Sequence, residues 1–340
     1  MRKLLLSVGL IFIGLAIFAA WFVPSAFFGS PTGVKVRLEI PSDATADKIG
    51  EMLVSRGIIA SSLGYRVYAY IDATAQHPRS GFYDVVPGSS YRSLARQFAL
   101  GPSRDEFSFR LLEGQSLDDE TAELLKLGVS ATSVQDLIGD AHADKSFARA
   151  LRQQYPFLKD LPDNASLEGY LFPDTYRVWK DQLPLGLVLK QLQTFSDKTS
   201  GMADEAVKQG RTFKDVMALA SIVEKEGRTS EEKKVIAGIF LNRIKAGMRL
   251  QSDATVNYAT RANRARPTLD DLNVESPYNT YRNDGLPPGP ICNPGLDSIQ
   301  AALNPTPSDY LYYLHDDQGK VYYAKTIDGH RENRRKAYNE

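Results

Sequence analysis

One helix constrains the fold of this chain more than any other segment. An apolar stripe runs along residues 212–226 with the spacing of three, four and seven that one helical face requires. Its members are Val216, Leu219, Ala220 and Val223. Gly227 is a natural end for this helix. Because such a stripe must be buried, we expect the surrounding domain to be built around this helix.

Two carboxylates occupy the C-terminal end of the same helix. At 100° per residue, Glu226 lies about 70° from the centre of the stripe and Glu224 about 90° away on the other side. A carboxyl group at the margin of an apolar face is well suited to general acid catalysis. The helical phase therefore slightly favours Glu226 as the half-buried acid, and Glu224 is then a candidate substrate contact. The alternative is that both side chains are solvated ends of an ordinary helix.

The N-terminus contains a run without charged residues. Residues 4–23 follow Arg2 and Lys3 and are about as long as a helix that crosses a bilayer. We expect residues 1–30 to form a single-pass anchor in the cell (inner) membrane with its N-terminus in the cytoplasm. The remaining chain would then be periplasmic or otherwise extracytoplasmic. A cleaved signal peptide is the alternative, although its apolar region would be unusually long.

The next segments alternate between short apolar strands and helical patterns. Three strand–turn–helix segments cover residues 36–53, 83–98 and 107–125. We expect a small α+β module over residues 31–130, followed by a mainly helical domain over 131–340. Tyrosine-rich strands around 310–324 predict a C-terminal β-hairpin in that domain. The fold class predicted for the whole chain is therefore α+β.

Charge and cysteine content exclude several functions. The chain has 41 basic and 41 acidic residues, so no global field favours nucleic acid as a partner. Cys292 is the single cysteine, and the four histidines lack the spacing of metal ligands. We therefore expect no metal site and no cofactor, and we expect Cys292 to be a buried thiol.

An aromatic segment at residues 166–176 supplies further candidates. Tyr170, Phe172 and Tyr176 are more often packing residues than ligand contacts, since large aromatic side chains are mostly buried. An exposed member of this set would be able to stack on a sugar ring. Glu168 is a candidate polar contact, with a solvated loop charge as the alternative.

A long polar region rich in proline turns covers residues 248–295. Its side chains are mostly neutral hydrogen-bonding groups of the kind that recognise hydroxyl and acetamido groups. The candidates are Gln251, Asp253, Thr255, Tyr278, Asn279 and Thr280. A long but purely structural loop is the alternative, although loops of this length in compact domains usually have a role.

Five motifs in one order resemble a known family. They are Glu168–Tyr176, Ala220–Glu226, Leu250–Asp253, Tyr278–Tyr281 and Gly285–Gly289. The chain resembles the endolytic murein transglycosylases of the YceG-like family over nearly its whole length. The resemblance implies a membrane anchor, a LysM-like module and a lysozyme-like catalytic domain. It also implies that the second glutamate of the Glu-Lys-Glu motif, Glu226, is the catalytic acid.

The resemblance implies a reaction on peptidoglycan. The enzyme would cleave the β-1,4 bond between N-acetylmuramic acid and N-acetylglucosamine within nascent strands and leave 1,6-anhydro ends. Expected partners are glycan strands, the membrane and cell-wall synthases, with a role in ending glycan elongation. One alternative is a hydrolytic muramidase in which Glu224 or Asp253 positions water. The other is a non-catalytic, membrane-tethered peptidoglycan-binding scaffold for division.

Overall fold

The chain folds into two compact units, residues 1–105 and residues 106–340. The computed structural model describes residues 14, 17, 19–102, 106–140, 142–143, 145–159, 161–262 and 264–338. Most of the charge-free run at residues 4–23 lies outside these described residues. Within them, no helix has both the length and the apolar character needed to cross a bilayer.

The first unit packs helices on a two-stranded sheet. Its elements are β1 (Val36–Ile40), α1 (Ala46–Ser55), α2 (Ser62–Ile71), β2 (Gly81–Val85) and α3 (Tyr91–Leu100), preceded by a π-helical turn (Pro24–Phe28). Strands β1 and β2 are antiparallel, with Val36 opposite Val85. Alternate strand residues such as Leu38 and Tyr83 enter the core.

The second unit is mainly helical and ends in a hairpin and a helix. Its elements are β3 (Glu106–Arg110), α4 (Leu117–Lys126), α5 (Ala131–Ile138), α6 (Arg149–Gln154), β4 (Thr175–Trp179), α7 (Leu185–Lys198), α8 (Met202–Lys208), α9 (Phe213–Glu226), α10 (Ser230–Lys245), α11 (Asp253–Thr260), α12 (Leu269–Leu272), α13 (Leu296–Leu303), β5 (Tyr312–His315), β6 (Val321–Ala324) and α14 (Ile327–Tyr338). The α+β class and the C-terminal hairpin are confirmed.

The division between the units differs from the boundary expected at residue 130. The third strand–helix segment was expected to join the small module. Instead β3 pairs antiparallel with β4, with Glu106 opposite Trp179. Phe109 and Leu124 are buried in the core of the second unit. A strand this short is stabilised mainly by its partner, and here the partner lies 65 residues further along the chain.

Helix α9 lies at the centre of the second unit. All eight residues from Val216 to Val223 are buried, so the helix is enclosed on every side rather than along one stripe. Helices α10 and α13 cover it. On another side, the Ser221 hydroxyl accepts a hydrogen bond from the Ile291 amide at 3.0 Å, and Cys292 is a fully buried free thiol.

Helix α10 holds the C-terminal hairpin through two polar side chains. The Asn242 amide donates to the Ser308 and Tyr310 carbonyls at 2.7 and 3.1 Å. The Arg243 guanidinium donates to the Leu311 carbonyl at 2.7 Å. These bonds fix the chain immediately before β5, which determines where the hairpin lies against α10.

We expect the close approach at Gly238 to make this position intolerant of any side chain. A Cβ atom there would lie 2.7 Å from the Thr306 carbonyl oxygen. Gly238→Ala should therefore cost about 1–3 kcal/mol of unfolding free energy by overpacking. Gly329→Ala in α14 is the control, because its Cβ would meet only ordinary contacts at 3.4 Å or more. The control should be neutral or stabilising by up to about 1 kcal/mol. Equal urea midpoints for the two variants would contradict the packing argument.

Candidate active site

Glu226 lies half-buried at the C-terminal end of α9, with both carboxylate oxygens hydrogen-bonded. The Ser252 hydroxyl donates to Oε1 at 2.6 Å, and the Tyr313 hydroxyl donates to Oε2 at 2.8 Å. Ser252 immediately precedes α11, and Tyr313 lies on β5. Three separate parts of the chain therefore converge on one carboxyl group.

The chemistry of these two partners suits a group that changes its charge. A hydroxyl both donates and accepts hydrogen bonds, so Ser252 or Tyr313 is able to accept a bond when Glu226 carries a proton. If both partners were groups that only donate, such as ammonium or backbone N–H groups, neither would accept a hydrogen bond from the protonated carboxyl group. Burial raises the pKa of the Tyr313 phenol well above its ordinary value, and the nearby Glu226 carboxylate raises it further. Tyr313 therefore stays a neutral hydroxyl.

Arg243 positions both partners of Glu226 at once. Its Nε atom donates to Leu311, two residues before Tyr313. One terminal nitrogen donates to the Leu250 carbonyl at 2.6 Å, two residues before Ser252. Burial lowers the pKa of this guanidinium, while the nearby Glu226 carboxylate acts in the opposite direction.

Buried threonines brace the segment that carries Ser252. The Ser252 amide donates to the Thr280 hydroxyl at 3.1 Å. The Thr280 and Thr255 hydroxyls share a hydrogen bond of 2.8 Å, and Thr255 also donates to the Ser252 carbonyl at 2.7 Å. Thr280 is 1% exposed, so it acts through Ser252 and does not present its hydroxyl to a ligand as the sequence had suggested.

A polar cleft of about 470 Å³ opens at Glu226. Its lining includes Asp118 and Asp119 from α4, Lys225 and Glu226 from α9, and Asp253, Tyr258 and Arg261 from the α11 region. Asp253 accepts a hydrogen bond of 2.6 Å from the Tyr281 hydroxyl. The structure therefore brings Asp253 into the same cleft as Glu226.

Glu224 has a different environment from Glu226 although the two lie on one helical turn. Its carboxylate forms an ion pair with Lys233 at 3.2 Å, and each of these side chains is only 9% exposed. The Gly295 amide and the Ser298 hydroxyl also donate to it, at 3.0 and 2.6 Å. These donors join α9, α10 and α13. Glu224, expected to contact substrate, instead lies outside the lining of the cleft.

Glu168 and Tyr170 are buried rather than displayed on a loop. Glu168 is 4% exposed and accepts the Leu117 amide at the start of α4. The Tyr258 hydroxyl also donates to this carboxyl group. Tyr170 is 1% exposed and packs against the rings of Phe157 and Phe195. Glu168 and Tyr170, with Tyr278, line a separate recess of about 220 Å³.

Asn279 differs from its expected role as a ligand contact, whereas the same role for Gln251 stays a prediction. Asn279 is fully buried and donates to the Leu272 and Val274 carbonyls, both at 3.0 Å. Gln251 adopts a left-handed backbone conformation with φ of 48°, and its backbone N–H donates to the Thr280 carbonyl. The Asn279 side chain shapes the loop, because buried backbone groups of an irregular segment need side-chain partners. Neither Asn279 nor Gln251 lies in the lining of the cleft.

The sequence interpretation did not identify Ser252 or Tyr313 as site residues. Ser252 lies inside a recognised motif, beside Asp253 and before a helix, so its position carried a local signal. Tyr313 lies 87 residues from Glu226 in a hairpin with several other tyrosines. No local pattern distinguishes it from its neighbours, since only tertiary structure brings it to the carboxylate.

A cleft-facing glutamate with two hydroxyl partners is a candidate site for general acid–base catalysis. The sequence model of the YceG-like family matches residues 38–336. The chain therefore belongs to the YceG-like family.

Relatives agree with this assignment over most of the chain. An endolytic murein transglycosylase of Bacillus subtilis (strain 168) is 30% identical over 303 residues, 87% of this chain and 82% of that protein. One from Streptococcus pneumoniae (strain ATCC BAA-255 / R6) is 31% identical over 322 residues, 88% of this chain but 57% of that protein. A crystal structure of a YceG-like protein from Listeria monocytogenes has a TM-score of 0.57 and 30% identity, covering 89% of this chain and all of that one.

We predict that Glu168 makes stability fall as the pH rises. Burial raises the pKa of its carboxyl group from 4.5 to about 8. Between these values the folded protein keeps a proton that the unfolded chain releases, so the free energy of unfolding decreases with pH. Glu168→Gln should flatten this slope, which urea unfolding across the range would measure.

A residual slope should remain in that variant, because burial also raises the pKa of Glu120 to about 7. Glu275→Gln is the control, since the Glu275 side chain is 88% exposed. An identical slope in the wild type and in Glu168→Gln would show that Glu168 is ionised in the folded protein.

Proposed function

We propose that this chain is an endolytic lytic transglycosylase that cleaves peptidoglycan glycan strands with Glu226 as its catalytic acid. The observation that carries the proposal is the pair of hydroxyls on the Glu226 carboxylate at the edge of a polar cleft. Membership of the YceG-like family and the names of the relatives from Bacillus and Streptococcus support the choice of substrate.

The first step is protonation of the leaving oxygen. Glu226 enters the reaction protonated and donates its proton to the oxygen that links N-acetylmuramic acid to the following N-acetylglucosamine. The bond between this oxygen and C1 breaks, and positive charge develops at C1 and the ring oxygen. Ser252 and Tyr313 then both donate to the carboxylate that forms, which stabilises it as its proton leaves.

The second step uses the same carboxylate as a base. It removes the proton from the C6 hydroxyl of the muramic acid, and O6 bonds to C1 to give a 1,6-anhydro ring. Glu226 ends protonated, as it began, and no water is consumed. One carboxyl group therefore serves twice, because the two hydroxyl partners accommodate both of its protonation states.

Asp253 is the proposed stabiliser of the positive charge at C1. It shares the cleft with Glu226 and is oriented by Tyr281. Glu224 is unsuited to this role because Lys233 and two further donors occupy its oxygens. The substrate's own acetamido group is the other source of such stabilisation. General acid–base help supplies only about 10²–10⁴-fold, so charge stabilisation and substrate distortion must supply the remainder.

The remaining parts of the chain receive proposals that follow from the family resemblance. We propose that residues 4–23 anchor the protein in the cell membrane with its N-terminus in the cytoplasm and both units outside it. In the first unit, two helices follow β1 in the chain before its antiparallel partner β2. We propose that this unit is a LysM-like glycan-binding module. The second unit is proposed to be a lysozyme-like catalytic domain that acts on new strands beside cell-wall synthases.

We predict that the same substitution at two neighbouring glutamates will have different effects. Glu226→Gln should abolish cleavage and leave unfolding nearly unchanged, since an amide cannot donate a proton as an acid but fills the same space. Glu224→Gln should cost about 3–5 kcal/mol of unfolding free energy, because Lys233 would lose its buried partner. The measurements are mass spectrometry of digested peptidoglycan and urea unfolding of both variants.

Product masses separate the proposed reaction from its alternatives. Internal 1,6-anhydro ends, one water lighter than hydrolysis products, should come from the wild type and not from Glu226→Gln. Reducing ends would instead indicate a hydrolytic muramidase. Glycan binding without products from either protein would favour the non-catalytic scaffold, and full activity in Glu226→Gln would remove this residue from the mechanism.

Tyr313→Phe should slow cleavage by about 10- to 100-fold, the value of one hydrogen bond to a charged group. The effect should fall on kcat rather than on KM, because the phenol contacts the carboxylate and not the ground-state substrate. Tyr312→Phe on the same strand is the control, since its ring faces the Arg243 guanidinium at 5.5 Å. Equal kcat values for these two variants would show that Tyr313 does not position the acid.

A further inference from the structure

The first unit follows the charge-free run without a linker. Phe22 is 8% exposed and Ala26 is fully buried, and both belong to the apolar core of the unit. The Phe22 ring lies 6.3 Å from the Tyr91 ring. Further on, the Ser30 amide donates to the Gly88 carbonyl at 2.7 Å. The end of the run is therefore packed into the folded unit.

Large apolar side chains are exposed where this segment meets α2. The Phe27 ring packs edge-on against the Tyr68 ring, with centroids 6.1 Å apart. Large residues within three positions of this pair in the chain are mostly exposed: Phe28 by 77%, Tyr70 by 88% and Ile71 by 68%, with Phe27 itself at 47%. We call Phe27, Phe28, Tyr70 and Ile71 the aromatic patch. Such a concentration of apolar surface usually marks a contact with another apolar surface.

We infer that the aromatic patch lies in the headgroup region of the phospholipid bilayer, so that the first unit rests directly on the membrane surface. This inference depends on the proposed anchor at residues 4–23. From Val23 to Phe28 a helical path rises at most about 8 Å, and each headgroup layer is about 5–8 Å thick. Aromatic residues that flank a spanning segment favour this layer.

A glycan strand is the other occupant that aromatic rings would suit. Sugar binding requires hydrogen-bonding side chains beside the rings, because each sugar hydroxyl must replace its water. Phe27, Phe28 and Ile71 offer no polar side-chain atoms, and Tyr70 offers one hydroxyl. The composition of the patch and its continuity with the charge-free run therefore favour lipid.

A nitroxide spin label on a single introduced cysteine would test the inference. Cys292 is fully buried, so labelling at Tyr70→Cys should be specific. Phe82→Cys is the control, because Phe82 is 47% exposed on β2 and faces the Arg37 guanidinium rather than an apolar neighbour. The full chain is reconstituted into vesicles of phosphatidylethanolamine and phosphatidylglycerol, and flotation confirms that it is bound.

The readout is the collision rate of each label with oxygen and with a polar nickel complex. We expect oxygen collisions to exceed nickel collisions several-fold at position 70, and the reverse at position 82. If the chain floats with vesicles but both labels are equally exposed to nickel, the anchor stands and the inference is wrong. If the chain does not float, the proposed anchor fails and the inference fails with it. Exposure at position 70 in vesicles, combined with protection by added soluble glycan strands, would make the patch a sugar surface instead.

Discussion

The enclosure of α9 is the constraint on which the second unit depends. Eight consecutive residues of this helix are buried, so neighbouring elements must surround it completely. Only its ends reach solvent, and the C-terminal end carries the glutamates. A helix fixed in this way has little freedom to rotate or slide, because close-packed interiors resist both motions. The position of the Glu226 backbone is therefore determined by the core rather than by the loops around the cleft.

Glu224 and Glu226 show how the donors around a carboxyl group determine its use. Lys233, a backbone amide and a serine all bond to the Glu224 carboxylate, which thereby connects three helices. Among the described residues, the hydrogen bonds to the Glu226 carboxylate come from two hydroxyls, and these tolerate a proton on either partner. Arg243 contributes indirectly, since it donates hydrogen bonds to the two segments that carry those hydroxyls. The difference lies in the partners and not in the glutamates.

The sequence was sufficient for the central helix, its end at Gly227, the α+β class and the C-terminal hairpin, because each has a local periodic pattern or a turn signal. Its preference for Glu226 rested on a small difference in helical phase. The partner of β3 was beyond prediction, since the strand resembles β1 and β2 locally and differs only in its pairing. Asn279 and Thr280 were expected to bind substrate because polar loop residues suit ligands and buried backbone groups equally well. Tyr313 reaches Glu226 only through the tertiary fold.

Because β5 supplies Tyr313, the site at Glu226 is completed late in synthesis of the chain. A ribosome makes the chain from its N-terminus, and 87 residues separate Glu226 from the tyrosine that completes its hydrogen bonds. A growing chain therefore contains Glu226 well before it contains both hydroxyl partners of that residue. Because Arg243 fastens the hairpin only after the hairpin has been made, assembly of the site is coupled to nearly complete synthesis of the second unit. A fragment that ends before β5 therefore contains Glu226 but lacks Tyr313, one of its two hydroxyl partners.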